Sequence, residues 1–175
     1  MIEENSPDLC TKCGVCCDGS FFELAGVQQS DINEVTRELD MLQTGERLQI
    51  KLPCTAHVNN RCTIYEVRPW VCRAYECKLL KECKRGEVSE EEAIKTIDQL
   101  KSALEELDTL LLEADVPKER RGVHKRIRIL EERSLTIMAE PQYRKAYGPL
   151  LIKYRLLQKL LTERFGIPFE KRDVT

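Results

Sequence analysis

Four cysteines stand within eight residues, Cys10-Thr11-Lys12-Cys13-Gly14-Val15-Cys16-Cys17, and four more follow at Cys54, Cys62, Cys72 and Cys77. Thiolates at that density suit a metal centre, because one tetrahedral zinc or iron takes up to four of them. In a Cys-x-x-Cys turn two thiolates converge while intervening amides donate to sulfur, and Gly14 permits the sharp bend inside the loop. Cys10, Cys13 and Cys16 then supply three convergent ligands and need a fourth from the later group. Adjacent side chains point in different directions, so Cys16 and Cys17 are expected to serve two metals, or two sides of one cluster. The expected ligands are Cys10, Cys13, Cys16, Cys17, Cys54, Cys62, Cys72 and Cys77, arranged as two four-thiolate centres or one multinuclear cluster. Spacing alone leaves their partition open.

The competing use of so many cysteines is a disulfide framework, which belongs to oxidising compartments. Met1-Ile2 runs straight into Glu3, Glu4 and Asp8, with no basic n-region and no apolar h-region, so a reducing, cytoplasmic setting is expected. Nine cysteines is an odd number, and the first four lie too close together to pair without strain. Cys83 is the one left over, read as a small buried or partly exposed thiol rather than a ligand.

Two occupants suit such a site, an iron–sulfur cluster or Zn2+. The triple Cys-x-x-Cys-x-x-Cys run lies closer to iron–sulfur ligand loops than to the paired knuckles of structural zinc, which the later group lacks. Lys12, Lys51, Arg61, Arg68 and Arg73 lie near ligands in sequence and could offset the surplus negative charge of four thiolates. Lys12 and Lys51 read equally well as solvated surface charges, which leaves Arg68 and Arg73 as the better candidates. His57, three residues beyond Cys54, is read as a polar loop residue because eight thiolates suffice. Trp70 and Tyr75 are read as packing around the metal core. Cys13-x-x-Cys16 lacks the βαβ setting of a thioredoxin-like redox pair.

The 175 residues fit one domain, or a small domain with an appendage, and divide near residue 88 because every cysteine precedes that point. Residues 1–88 are expected to form an irregular cysteine-rich metal-binding domain, and residues 89–175 a helical region. Ser30 is positioned to cap a helix carrying Ile32, Val35, Leu39 and Leu42. Leu48, Ile50 and Leu52 alternate as a strand would, and Asn59-Asn60 suits a tight hairpin turn that brings Cys54 and Cys62 together. Residues 70–84, after Pro69, are expected to form a short helix bearing Cys72 and Cys77. Ser89 and Glu92 form a capping box, followed by an apolar seam at Ala93, Ile97, Leu100, Leu104, Leu107 and Leu111 that ends at Val116-Pro117. A second seam runs through Val123, Ile127, Leu130, Ser134 and Ile137 towards Pro141. Pro149 opens a last helix with Leu150, Tyr154, Leu157 and Leu161 on one face, stopped by Gly166 and Pro168. The fold class is therefore mainly α, with an antiparallel helical hairpin or three-helix bundle expected and a coiled-coil dimer as the alternative.

No apolar run is long enough to span a bilayer, and 30 acidic against 28 basic side chains create no global field that selects nucleic acid. The basic run Lys118, Arg120, Arg121, Lys125, Arg126 and Arg128 has Glu119, Glu131 and Glu132 as neighbours and reads as a solvated helix face. Paired carboxylates, a Gly-rich phosphate loop and a nucleophile elbow do not stand out.

Cys10-x-x-Cys13-x-x-Cys16-Cys17, Leu52-Pro53-Cys54, Cys62-Thr63-Ile64-Tyr65-Glu66-Val67-Arg68-Pro69 and Cys72-Arg73-Ala74-Tyr75-Glu76-Cys77 together resemble the CxxCxxCC cysteine-cluster family. That family, also called YkgJ-like, is described as zinc- or iron-chelating, and the cysteine region of flagellin lysine N-methylases is similar. The resemblance spans residues 10–77 and implies metal binding. Two functions follow as expectations. In one the metal is structural, replacing a core the first half could not build alone, and the helices dock a protein partner. In the other an iron–sulfur centre takes part in electron or group transfer, such as lysine methyl transfer.

Overall fold

The computed structural model of the protein describes residues 9–113 and 141–167, and within them the expected mainly α character holds. Helix α1 (Leu9–Cys13) leads into the first cysteine loop. Strands β1 (Leu24–Val27), β2 (Met41–Thr44) and β3 (Arg47–Lys51) form an antiparallel sheet in the order β1-β3-β2. A small hairpin of β4 (His57–Val58) and β5 (Arg61–Cys62) follows, then the short helices α2 (Trp70–Ala74) and α3 (Lys78–Lys84). The long helices α4 (Glu90–Glu113) and α5 (Pro141–Leu160) complete the described fold.

The strand reading over Leu48 and Ile50 is met by β3, the middle strand, where Ile50 is buried with Leu39 and Ala56 in a small core of its own. The hairpin forms where the paired asparagines stand, with Asn59 and Asn60 at φ of 50° and 60°. The helix expected after Ser30 does not form. Single 3-10 turns at Gln29–Asp31 and Thr36–Glu38 replace it, and Leu42 lies in β2. Two causes act together. Asn33 and Thr36 side chains capture local backbone N–H groups, Thr36 N–H donating to Asn33 Oδ1 at 2.9 Å and Asn33 N–H to Thr36 Oγ1 at 2.8 Å, which diverts the chain from a helical ladder. β3 also has a second edge, and residues 41–44 pair with it.

The capping box at the head of α4 is complete. Ser89 N–H and Oγ donate to Glu92 Oε2 at 3.0 and 2.9 Å, and Glu92 N–H donates to Ser89 Oγ at 3.2 Å. Every member of the first seam is buried, as are Leu150, Tyr154, Leu157 and Leu161 on α5. Thr96 meets Arg164 at 3.4 Å while Glu106 pairs with Lys153, so the two helices run antiparallel. α5 begins at Pro141, not at Pro149, which lies within it. A proline is tolerated at the first helical position, and burial of the α5 seam carries the helix through the exposed Pro149. Gly166, at φ 67°, ends the helical stretch as expected. The second seam at Val123–Ile137, the basic run and Pro168 lie outside the described residues.

Leu9 and Val15, from the first cysteine stretch, are buried in the same core as α3, α4 and α5. Phe21 adds a tilted ring contact to Phe165, 6.3 Å between centroids. These anchors hold the cysteine loop against the helical pair. No helix of the described residues is long and apolar enough to cross a membrane.

Candidate metal centre

The first cysteine stretch is a helical turn closed by a left-handed residue. Gly14 N–H donates to Cys10 O at 2.9 Å, and Gly14 O accepts from Cys17 N–H at 2.8 Å and Asp18 N–H at 3.0 Å. Gly14 sits at φ 72°, and a Cβ there would stand 2.9 Å from His57 Nε2, so the glycine serves both the turn and the close approach of the hairpin. Cys54 N–H donates to Cys17 O at 2.8 Å, which ties the two cysteine groups together. His57 N–H in turn donates to Cys54 O at 3.0 Å, and His57 pairs with Cys62 across the hairpin.

The expected helix over residues 70–84 is two helices, α2 carrying Cys72 and α3 beginning after Cys77. Cys77 stands extended at φ −68° and ψ 163° as the N-cap of α3, so it occupies a cap position rather than a helical one. Asp31 holds the start of α2. Its Oδ1 accepts from Trp70 N–H at 2.9 Å, its Oδ2 from Gln28 N–H at 3.1 Å, and Arg73 stands 4.0 Å away. This buried carboxylate was missed by sequence reasoning, since one Asp in a polar loop carries no signal of a partner 39 residues on.

All eight expected ligands line one cavity of about 340 Å3, and Cys83 does not. Instead Cys83 packs, partly buried, against the helical core, as the sequence suggested. Burial pushes the Cys13 and Cys17 thiols up to about 12 and Cys72 to about 11, and raises Cys16, Cys54 and Cys77 as well. After burial, the neighbouring cysteines raise most of them further. Cys16 feels Cys13 and Cys77 most and then its neighbour Cys17, and Cys13 feels Cys77 and Cys10. Cys17 feels Cys72, Cys54 and Cys62, and Cys72 feels Cys54 and Cys62. Cys10 reaches Cys13, Cys16 and Cys17.

Nearby backbone N–H groups lower two of these thiols against burial, Val15 at Cys13 and Ala56 and His57 at Cys54. Such N–H donation favours the thiolate while burial opposes it, and a bound cation resolves that conflict by replacing the thiol proton. The donor set thus fits zinc or iron, both of which take thiolate ligands. Among the described residues no three Cys, His, Asp or Glu side chains already stand as a closed coordinating group. The cluster is defined by its shared cavity and mutual influence rather than by coordination distances.

The flanking charges divide as their positions suggest. Lys12 pairs with Glu90 at 2.9 Å and Lys51 with Asp40 at 3.1 Å, both at the surface. Arg68 lies over the Tyr65 ring at 3.7 Å and draws the Cys72 thiol down against its other neighbours. His57 lines the cavity with its Nε2 buried and without a partner, so it is more than a loop residue in open solvent. Tyr75 lines the cavity too, set edge-on against Phe22 at 5.3 Å. Trp70 does not pack around the metal core as expected. It is 53% exposed, because α2 is oriented through its backbone, by the Trp70 N–H bond to Asp31, and not through the indole.

Residues 9–102 match the CxxCxxCC family, described as a zinc- or iron-chelating domain, and the chain belongs to that family. Comparisons with curated proteins and with solved structures found no match.

Proposed function

We propose that the protein holds metal in two adjoining four-cysteine centres, one formed by Cys10, Cys13, Cys16 and Cys77 and the other by Cys17, Cys54, Cys62 and Cys72. The observation that carries metal binding is the single cavity lined by all eight; the division follows the leading mutual influences, Cys13 and Cys77 on Cys16 against Cys72, Cys54 and Cys62 on Cys17, with Cys10 and the Cys16–Cys17 pair linking the two sets. The metal's role is structural: it joins α1, the hairpin, α2 and the head of α3, where few apolar side chains are available to do so. The helices supply the docking surface for a protein partner, with Leu112, Ile152 and Leu156 outward.

The spacing of the first set, three cysteines in Cys-x-x-Cys-x-x-Cys and a distant fourth, favours an iron–sulfur cluster over zinc there. Metal and acid-labile sulfide content of anaerobically purified protein tests both occupancy and identity. Iron with matching sulfide supports the cluster, and about two zinc ions per chain without sulfide would replace it with a pair of tetrahedral zinc sites. Cys16→Ser and Cys72→Ser should each remove one centre and leave the other. Full metal in either variant would sink the ligand assignment, and complete loss in both would replace two centres with one shared cluster.

A further inference from the structure

A second cavity, of about 490 Å3, opens beside the cysteine cluster and differs from the first in its walls. Arg61, Arg68, Arg73 and Lys84 line it, together with the hydroxyl-bearing Tyr65 and Tyr75, against a single carboxylate, Glu76. Lys84 already pairs with Glu76, and Arg73 stands 4.0 Å from Asp31. That leaves Arg61 and Arg68 without a carboxylate partner among the described residues, where the buried Arg68 Nε also has no hydrogen-bond partner. A buried guanidinium N–H without an acceptor is costly, and stacking on Tyr65 satisfies the ring plane but none of its edge donors.

From the cavity and its charge, four basic side chains against one carboxylate, we infer that the site binds a small oxyanion, a phosphate or carboxylate group, gripped by Arg61 and Arg68 with Arg73 at the rim. The planar guanidinium fork matches both anions through paired N–H···O bonds, which a lone lysine would not. Arg68 also lines the cysteine cavity and draws the Cys72 thiol down, whereas Arg61 and Arg73 line the polar cavity and not the cysteine one. The exposed Cys10 and Cys72 form part of the wall, so a bound anion would lie next to the metal centres of the proposed function. The anion site itself needs only the arginines and would stand if those centres held a different metal or were partitioned otherwise.

Calorimetric titration of the metal-loaded protein with inorganic phosphate, and separately with succinate, tests the inference, with metal content measured on every sample. Saturable binding of phosphate or of succinate supports it and identifies which oxyanion is taken. Arg68→Gln should then weaken that binding about tenfold or more, as loss of a charged hydrogen bond does. If Arg68→Gln also lowers metal content, Arg61→Gln decides, since its side chain is exposed: it should weaken binding with metal unchanged. Wild-type protein that binds neither anion, or binding that Arg61→Gln and Arg68→Gln leave untouched, would overturn the site and return both arginines to countercharge.

Discussion

Residues 10–77 and the α4–α5 pair are buried by different means. A small apolar core of Leu39, Ile50 and Ala56 accompanies the sheet, and the region's cavity gathers eight thiols among apolar walls that include Phe21, Phe22 and Ile64. The helical pair instead fills its interior with Leu100, Leu104, Leu107, Leu111, Leu150, Tyr154, Leu157, Leu161 and Phe165. Burial of apolar area can hold the second region by itself, whereas the first gathers partly buried thiols whose charged forms repel one another and whose protons a cation would replace. The contrast shows two ways for a short chain to be stable, one by closing a core and one by binding into it. Leu9 and Val15 join them, packing cysteine-loop backbone onto the leucine seam.

The largest test of that contrast is removal of metal. Chelation under reducing conditions should expose the amides of residues 10–77 to hydrogen exchange while most helical circular dichroism persists. Equal loss of protection in α4 would show that the two regions fold as one unit. Next in size is a cut in the other region: Leu100→Ala, at a site with 0% exposure, should cost about 2–5 kcal/mol, read as a lower Tm at unchanged metal stoichiometry. Asp31→Ala should cost about 1–3 kcal/mol, because it leaves the Trp70 N–H unsatisfied. Metal affinity should fall with it, if α2 placement presents Cys72; an unchanged affinity would separate α2 from the site.

Smallest is the cap of α4. Ser89→Ala should cost about 1 kcal/mol and leave metal untouched. Hydrogen bonds from Ser89 hold Glu92 below its ordinary value of 4.5, so its folded value is the depressed one. Its contribution is complete above pH 4.5 and is lost as pH falls through the lower folded value. The stability difference between wild type and Glu92→Gln should shrink across that acid window, and a difference that grows there would contradict the cap.

Legibility followed the range of the interaction concerned. The α4 seam, its capping box, the β3 alternation and the Asn59-Asn60 turn each depend on residues a few positions apart, and each stands where the pattern put it. Failures came where a distant partner or a side-chain exchange outweighed the pattern. Ser30–Leu42 has helical spacing, yet a local Asn33–Thr36 exchange and the free edge of β3 drew it into turns and a strand. Pro149 reads locally as a start, but the helix begins at Pro141, and Tyr147 before Pro149 packs against the same core as Leu150. Trp70 carried an aromatic's prior for burial and was overruled by an anchored backbone.

The sequence by itself determined that thiols are concentrated beyond any ordinary structural need, that they belong to a zinc- or iron-chelating family, and that two apolar faces further on must find each other. Only the tertiary structure decided that all eight thiols line one cavity and that a buried arginine Nε without a hydrogen-bond partner among the described residues stands beside them. The physical reason is that thiol chemistry and helical periodicity are properties of the chain, whereas proximity between residues 17 and 72 depends on a hydrogen bond from Cys54, a two-asparagine turn and a buried Asp31 acting together.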